Sequence, residues 1–155
     1  MLKRATIESP VGILSASFSG KQLCQLDIGK ICADNSSASE VVTRLEKELN
    51  SYFSDKDFKF TIPVQLDGTD FQRKVWSALC EIPVGCALSY GQLAEKLQSS
   101  PRAIGNACRV NPVPIIIPCH RVVGKNGIGG YDGKTSGKRL DIKRWLLQHE
   151  GVSIS

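Results

Sequence analysis

Hydrophobic and polar positions in the first part of the chain predict a small antiparallel sheet and one helix. Apolar and polar residues alternate over residues 3–28, interrupted by SPVG and SGKQ, which are typical of tight turns. After the polar segment ICADNSSAS, apolar residues recur at helical spacing from Val42 to Phe53. Ser39 is placed to cap this helix, and the extended segment KFTIPVQLDG follows it.

The second part of the chain has a mainly helical pattern. Thr69 is a good N-cap for a helix that Pro83 and Gly85 end. The apolar stripe of this helix consists of Phe71, Val75, Leu79 and Ile82. The last helix, RLDIKRWLLQHE, is amphipathic and ends at Gly151. Its inward face is predicted to carry Leu140, Trp145 and Leu146 or Leu147. We therefore predict an α+β fold with two domains, an N-terminal α/β lobe of residues 1–66 and a mainly helical domain of residues 67–155.

Two short helices are predicted between the helix that follows Thr69 and the last helix. Ser89 and Gln92 match a capping box for a helix through Leu97. Ser100 then caps a second helix, with Pro101 at its first position. Two short helices joined by a tight polar turn are typical of a helix-turn-helix, although any αα-hairpin gives the same pattern.

The second of these short helices has an unusual composition for a helix that reads DNA. Arg102 and Arg109 flank an interior of short residues. Small residues let a backbone approach a surface closely, whereas bulky side chains are expected for reading the major groove. Close packing against another helix explains the short residues equally well.

Charge adds a second indication of a polyanionic partner. The 155 residues have a formal net charge of +5. Residues 1–68 hold eight Lys/Arg and nine Asp/Glu, a balance of −1, whereas residues 69–155 hold twelve and six, a balance of +6. An excess confined to one part indicates a surface that faces a polyanion there. A solvated basic face without a partner explains the charge alone equally well.

Cysteine usage and targeting signals predict a cytoplasmic protein without a metal or cofactor. The N-terminus lacks the apolar region of a signal peptide, and no apolar run reaches membrane-spanning length, so we expect no membrane partner. The six cysteines form no C-x-x-C pair, and only two histidines are present. The Gly-rich segment GKNGIGGYDGKTSGK does not match a phosphate-binding fingerprint. Whether Cys24 and Cys32 form a disulfide stays open.

The segment IIIPCHRVV carries the candidate chemistry. Its apolar run ends at a proline and is followed by Cys119, His120 and Arg121. A free thiol is only slightly ionised at neutral pH, so a nucleophilic cysteine needs a base or a nearby positive charge. Neighbouring residues of an extended chain point to opposite faces, so His120 is expected to reach Cys119 through a water, with Glu150 orienting His120. A buried, inert Cys119 is the alternative.

Five segments resemble one known family. They are SYGQLA, PRAIGNACR, NPVPIIIPCHRVV, GIGGYDG and KRWLLQHEG, and the family is that of the O6-alkylguanine-DNA alkyltransferases, or methylated-DNA–protein-cysteine methyltransferases. The resemblance extends from about Phe71 to Gly151, more than half of the chain. It implies direct reversal of DNA damage. Cys119 would take an alkyl group from O6 of a guanine flipped out of the duplex, and one turnover would consume the protein.

The same resemblance implies catalytic roles for five residues. His120 would deprotonate Cys119 through a water, and Glu150 would orient His120. Tyr90 would donate a proton or a hydrogen bond to N3 of the leaving guanine. Asn111 would brace the turn between the recognition helix and the active-site strand.

The resemblance also implies how the protein meets DNA. Arg102 would enter the duplex from the minor groove and replace the flipped nucleotide. Tyr131 would wall the base pocket, and main-chain groups of Cys119, Val122 and Asp132 would read the guanine edge. We expect DNA contacts from Ser89, Tyr90, Arg102, Ala103, Arg109 and Arg121, and a substrate pocket that includes Pro114, Val122, Tyr131 and Asp132.

Some expectations depart from the family or stay open. Asp132 stands where many relatives have serine, the loop over residues 131–141 is longer than in compact relatives, and the ligands of some relatives' zinc site are not evident. We expect a monomer that binds double-stranded DNA mainly through phosphates and the minor groove. The alternatives are a non-catalytic helix-turn-helix module that binds DNA lesions, and a cysteine hydrolase. The preferred alkyl size and activity on O4-alkylthymine stay open.

Overall fold

The computed structural model describes residues 3–29, 39–125, 127–129 and 138–152. Contacts within the chain separate two units, Met1–Asp67 and Gly68–Ser155. The predicted boundary between residues 66 and 67 lies one position from this division. The predicted α+β architecture is confirmed, since the first unit has an antiparallel sheet and the second is mainly helical.

The first unit begins with three antiparallel strands that are neighbours in chain order. They are β1 Lys3–Ser9, β2 Gly12–Ser19 and β3 Gln22–Ile28. Tight turns join them, and Gly12 and Gly20 have φ angles of +110° and +60° that favour glycine. All three strands contribute to one buried face, as the alternating pattern predicts: Ala5, Ile7, Leu14, Ala16, Phe18, Leu23, Leu26 and Ile28.

Cys24 on β3 is a structural thiol. Its Sγ donates to the carbonyl of Ser17 on β2 at 3.3 Å. Burial and the nearby Asp67 carboxylate raise the pKa of Cys24, so its thiol stays protonated at neutral pH. Cys32, its possible disulfide partner, lies outside the described residues.

The helix of the first unit, α1, covers Glu40–Ser54. Ser39 is its N-cap residue, as predicted, but the Ser39 side chain makes no capping hydrogen bond. The Ser39 carbonyl accepts the first bond of the helix, as an N-cap carbonyl does. That carbonyl accepts from the amide and the hydroxyl of Thr43, both at 3.1 Å. The inward residues Val42, Leu45 and Leu49 are confirmed, and Tyr52 is buried beside them, while Phe53 is half-buried.

Glu48 joins α1 to the segment that leaves it. Its buried Oε1 accepts from the amides of Thr61 and Ile62 at 2.8 and 3.1 Å, and Arg44 Nε donates to its Oε2 at 3.1 Å. Burial opposes ionisation, but these donors outweigh it and lower the pKa of Glu48 below its usual value. The ionised carboxylate therefore holds the extended chain against the helix.

Glu48→Gln is expected to destabilise the protein by about 1–3 kcal/mol, because an amide presents one acceptor oxygen to donors that now share two. Since the pKa of Glu48 is lowered in the folded state, its contribution is present above the unfolded pKa of about 4.3 and is lost as the pH falls. Urea unfolding at pH 7 and at pH 3.5 measures this. The exposed Glu46→Gln on the same helix is the control. An equal stability loss at both pH values would contradict the assignment.

The second unit holds the remaining elements. The short strands β4 and β5 pair in parallel, Leu88 opposite Val122 and Ser89 opposite Val123. A 3-10 turn, Cys119–Arg121, leads directly into β5. The elements in chain order are α2 Asp70–Cys80, β4 Leu88–Ser89, α3 Tyr90–Lys96, α4 Pro101–Arg109, β5 Val122–Val123 and α5 Lys138–His149.

Local capping begins three of these helices, as predicted. Thr69 and Gln72 form a capping box at α2, and Ser89 and Gln92 form another at α3. At α4, the hydroxyl of Ser100 accepts from the third amide of the helix at 3.1 Å. The positions of α3 and α4 therefore follow from short-range hydrogen bonds, and the two helices contact each other as a helix-turn-helix does.

Two tryptophans depart from the predicted helix faces. Trp76, outside the predicted stripe of α2, is 1% exposed, and its Nε1 donates to the carbonyl of Ala107 in α4 at 2.9 Å. Trp145 was predicted to face inwards from α5, but it is half-buried and stacks on His149 with ring centroids 5.0 Å apart. Lys143 takes an inward place instead.

None of the helices in the described ranges combines the length and apolar character needed to span a bilayer.

Candidate active site

The segment between α4 and β5 positions Cys119 through a braced turn. The side chain of Asn111 spans this turn, donating from Nδ2 to the carbonyl of Ile117 at 2.9 Å and accepting from the amide of Val113 at 3.0 Å. The amide of Ile117 bonds to Val113, and the amide of Cys119 bonds to Ile117. The Asn111 side chain therefore holds together the turn that precedes Cys119.

Ile115 in this turn adopts an unusual backbone conformation. Its φ of +77° lies in the left-handed region, which β-branched residues rarely enter. Ile115 is 2% exposed, so burial of its side chain stabilises a conformation that its backbone disfavours. The Asn111 hydrogen bonds on either side hold the strained turn in place.

The 3-10 turn brings His120 and Arg121 to a buried carboxylate at the end of α5. His120 Nε2 lies 2.8 Å from Glu150 Oε2. Arg121 binds the same carboxylate twice, from Nε to Oε1 at 2.8 Å and from Nη2 to Oε2 at 3.0 Å. Both His120 and Glu150 are 0% exposed. The carboxylate is therefore desolvated, fixed in orientation and paired with one permanent cation.

This arrangement assigns the proton of His120. Burial lowers the pKa of His120 below its usual value, the bond to Glu150 opposes this, and the Arg121 and Lys143 charges lower it further. His120 is therefore neutral at pH 7, and the atom facing the carboxylate, Nε2, must carry the proton as the donor.

The other ring nitrogen, Nδ1, is left as the basic atom. It is buried and has no hydrogen-bond partner among the described residues. A neutral histidine whose donor nitrogen is fixed by a carboxylate, with its second nitrogen unengaged by the protein, is suited to accept a proton. His120 directly follows Cys119, which is 5% exposed.

Arg121, which was expected to contact DNA, lies in the interior of the described structure. Arg121 is 8% exposed, and its Nη1 donates to the carbonyl of Ile82 at 2.7 Å while its other donors bind Glu150. Its guanidinium is committed to the interior, so its contribution to the surface charge is small. Arg121 binds the same Glu150 carboxylate that His120 contacts.

The other residues expected to contact DNA lie at or near the surface of α3 and α4. Arg102 and Arg109 are exposed, and Ser89, Tyr90 and Ala103 are half-buried. Ser89 also caps α3, so its hydroxyl has a structural role. The opposite face of α4 is buried through Ile104, Ala107 and Cys108.

The pocket expectations are only partly within the described structure. Val122 and Pro114 are buried, and Pro114 forms a bridge with Ile117. Tyr131 and Asp132 lie outside the described residues.

Lys143 is a buried residue that sequence reasoning missed. It is 0% exposed, and its Nζ donates to the carbonyl of Val122 at 2.7 Å. Nζ also lies 5.7 Å from the centroid of the Tyr90 ring. Its spacing in the sequence could have identified Lys143 as buried. It lies three residues after Leu140 and four before Leu147, which places it on the inward face of α5.

No group of three or more side chains that could hold a metal ion occurs within the described ranges.

The fold and site together define a class of protein. A short helix-turn-helix with exposed arginines is followed by a buried cysteine, and a histidine, a glutamate and an arginine form a hydrogen-bonded network beside it. This is the class of DNA-facing proteins with a cysteine set up for nucleophilic chemistry.

Family models assign the chain within that class. The model described as "6-O-methylguanine DNA methyltransferase, DNA binding domain" matches residues 70–152, and the model of the same family's "ribonuclease-like domain" matches residues 2–66. The chain belongs to the 6-O-methylguanine DNA methyltransferase family. The resemblance read from the five sequence segments is therefore confirmed.

Individual relatives agree over nearly the whole chain. The methylated-DNA–protein-cysteine methyltransferase of Saccharolobus solfataricus is 36% identical over 154 residues, 99% of each chain. The solved structure of Mycobacterium tuberculosis OGT in complex with DNA has a TM-score of 0.81 at 34% identity, covering 96% of this chain and 92% of that one. The O6-methylguanine DNA methyltransferase of Methanococcus jannaschii has a TM-score of 0.69 at 32% identity, covering 97% and 95%.

Proposed function

We propose that this protein repairs alkylated DNA by moving an alkyl group from O6 of guanine to the Sγ of its own Cys119. The thiolate attacks the alkyl carbon, the S–C bond forms, the C–O6 bond breaks, and the electron pair leaves with the guanine. The thioether is stable, so each molecule acts once. The observation that carries the proposal is the buried His120–Glu150–Arg121 network directly after Cys119 in a chain of this family.

His120 is the general base in this proposal. The thiol proton passes to Nδ1 through a water, since Nε2 is engaged with Glu150. As His120 becomes charged, the fixed Glu150 carboxylate stabilises the imidazolium. Arg121 holds that carboxylate in place at two oxygens.

The leaving guanine needs a proton or a hydrogen bond at N3, which Tyr90 supplies in this proposal. Tyr90 is the first residue of α3 and is half-buried. The capping box formed by Ser89 and Gln92 fixes the start of that helix, and with it the Tyr90 backbone. Asn111 keeps Cys119 in register with this helix by bracing the preceding turn.

DNA is the partner, and we propose that it is double-stranded and is bound by a monomer. O6 of a stacked guanine is out of reach of a buried thiol, so the base must leave the duplex and another group must fill its place. The exposed Arg102 at the start of α4 supplies that group from the minor groove. Phosphate contacts from Arg109, Ser89 and Ala103 then give affinity without sequence preference.

In the same proposal, the flipped base enters a pocket bounded by Pro114, Tyr131 and the main chain of Cys119, Val122 and Asp132.

Gly105 in α4 supports the proposed close approach of this helix to DNA. A Cβ placed on Gly105 would meet nothing within 4 Å, so packing inside the described protein does not require a glycine. Gly105→Ala is therefore expected to raise stability by about 0.5–1 kcal/mol, through helix propensity, and to weaken DNA binding. Thermal unfolding and fluorescence anisotropy with a duplex measure the two effects.

The control for that prediction is Gly91→Ala, a glycine inside α3 where the added Cβ makes only an ordinary contact at 3.8 Å. It is expected to raise stability to a similar degree. If Gly105→Ala binds the duplex as tightly as the unchanged protein, α4 does not approach DNA at this position.

The mass of the protein after incubation with a duplex containing O6-methylguanine tests the proposed function. We expect a gain of one methyl group per molecule, mapped by peptide digestion to Cys119, with a stoichiometry of one to one. A non-catalytic lesion-binding module would bind the duplex without gaining mass. A cysteine hydrolase would turn over many substrate molecules without a stable adduct.

A further inference from the structure

Asn106 is an exposed polar residue in the middle of α4 that the proposed mechanism does not use. It lies four residues after Arg102 and three before Arg109, so the three side chains share one face of the helix. The opposite face includes the buried Ile104 and Cys108. Asn106 therefore belongs to the face that meets DNA in the proposed function.

Neither packing nor helix formation accounts for an asparagine at position 106. It is the sixth of the nine residues of α4, where asparagine is a poorer helix former than alanine because its amide competes for backbone groups. Its side chain is exposed and forms no hydrogen bond with another described residue. Local stability thus favours alanine here, and the amide is available to a bound partner.

The residues beside Asn106 allow its short side chain to reach the floor of a groove. Ala103 and Gly105 are small, and a Cβ placed on Gly105 would meet nothing within 4 Å. The amide of an asparagine lies close to its own backbone, so it contacts a base edge only where the helix approaches DNA closely. Small residues permit that approach, which means that Asn106 and its neighbours fit the same docking geometry.

The amide of Asn106 differs from the charged groups on its face because it carries an acceptor. The guanidinium groups of Arg102 and Arg109 only donate, and the phosphate oxygens of DNA only accept. In the minor groove every base pair presents acceptors at N3 or O2, and the one donor is the N2 amine of guanine. The amide NH2 of Asn106 can therefore serve any pair, whereas its Oδ1 finds a partner only at a G·C pair.

We propose that Asn106 is a specificity-determining residue, whose Oδ1 accepts a hydrogen bond from the N2 amine of a guanine beside the lesion. This inference rests on the proposed function, in which α4 enters the minor groove and Arg102 fills the place of the flipped base. Asn106 lies about 6 Å from Arg102 along the helix axis, the rise of four residues. Base pairs are about 3.4 Å apart, so this guanine lies within about two base pairs of the lesion. The protein thus reacts faster where a G·C pair neighbours the lesion, while its phosphate contacts stay indifferent to sequence.

The experiment removes the N2 amine while the rest of the base pair stays the same. Duplexes carry a single O6-methylguanine, and each of the two base pairs on either side is in turn G·C or inosine·C, which lacks only the amine. The second-order rate constant of methyl transfer is measured for the unchanged protein and for Asn106→Ala. Asn50→Ala, an exposed asparagine inside α1, is the control with the same substitution.

At one of these positions, we expect loss of the amine to slow transfer by about fivefold in the unchanged protein, the effect of one hydrogen bond between uncharged groups. Asn50→Ala should show the same loss, and Asn106→Ala should react equally with both duplexes. Equal losses in the unchanged protein and in Asn106→Ala would show that DNA shape is read instead. No loss at any position would exclude the contact. Either result overturns the inference.

A second arm adds the amine to an A·T pair. Diaminopurine pairs with thymine and presents an amine at the same place in the minor groove. At the responsive position, replacing adenine by diaminopurine should speed transfer by the unchanged protein and not by Asn106→Ala. A gain that persists in Asn106→Ala would contradict the inference.

Failure of the proposed function is separate, since it would appear as absent methyl transfer from every duplex. The same set of duplexes and variants, compared by fluorescence anisotropy, then decides the inference from affinity alone. An affinity that depends on the amine only while Asn106 is present supports the contact. An affinity that is indifferent to the amine excludes it.

Discussion

A Cys119→Ala protein is expected to bind a duplex containing O6-methylguanine with nearly unchanged affinity and to gain no methyl group. The substitution removes the sulfur that forms the new bond. The exposed arginines of α4 are unaffected, because Cys119 is buried in the 3-10 turn. Intact mass after incubation measures transfer, and fluorescence anisotropy with the same duplex measures binding.

The control for this prediction is Cys80→Ala at the end of α2, where the thiol is exposed. This protein should gain one methyl group as the unchanged protein does. A methyl adduct on Cys119→Ala would show that another group accepts the alkyl and would disprove the proposed mechanism. Loss of both binding and transfer would mean that the duplex is held by Cys119 itself, contrary to the assignment of binding to α3 and α4.

Features governed by short-range chemistry were predictable from the sequence. The capping boxes at Thr69 and Ser89 and the Ser100 cap need only residues within three positions, and all three are present. Ser39 is the N-cap residue of α1, as predicted, but its side chain makes no capping hydrogen bond. Residue type thus predicted where the helix starts, but not which groups accept hydrogen bonds from its first amides.

Long-range pairing was beyond the sequence pattern. Arg121 and Glu150 are 29 residues apart, and only the fold decides that this arginine enters the interior and leaves the surface. Its neighbour in sequence, His120, was paired with Glu150 first as a candidate and then through family resemblance, not through periodicity. Lys143 was missed because charged residues are read as exposed by default, even where they share the inward spacing of leucines.

The strained turn at Ile115 was equally hidden. Its sequence, NPVPIIIP, indicates extended chain, and isoleucine disfavours the left-handed conformation it adopts. The conformation is imposed by the Asn111 side chain and by burial, both of which are tertiary effects. Functional sites are where the backbone preference of a residue and its observed conformation are expected to differ.

Glu150→Gln is expected to slow alkyl transfer by about 10²–10⁴-fold, the range by which a general base accelerates proton transfer. The amide cannot stabilise the imidazolium that forms at His120, and it can present its NH2 group to the ring in the wrong orientation. The substitution also leaves the buried Arg121 guanidinium without its counter-charge, which is expected to cost about 3–5 kcal/mol of stability. Single-turnover kinetics and urea unfolding measure the two effects.

A double substitution, Arg121→Met with Glu150→Gln, separates catalysis from stability. Removing both charges should restore much of the lost stability, because neither member of the pair is left as an uncompensated buried ion. Transfer should stay slow, because His120 still lacks the carboxylate that orients it. Asp141→Asn, an exposed carboxylate on the same helix, is the control and should change neither quantity. A double variant that is stable and transfers at the original rate would exclude the His120–Glu150 pair from the proton path.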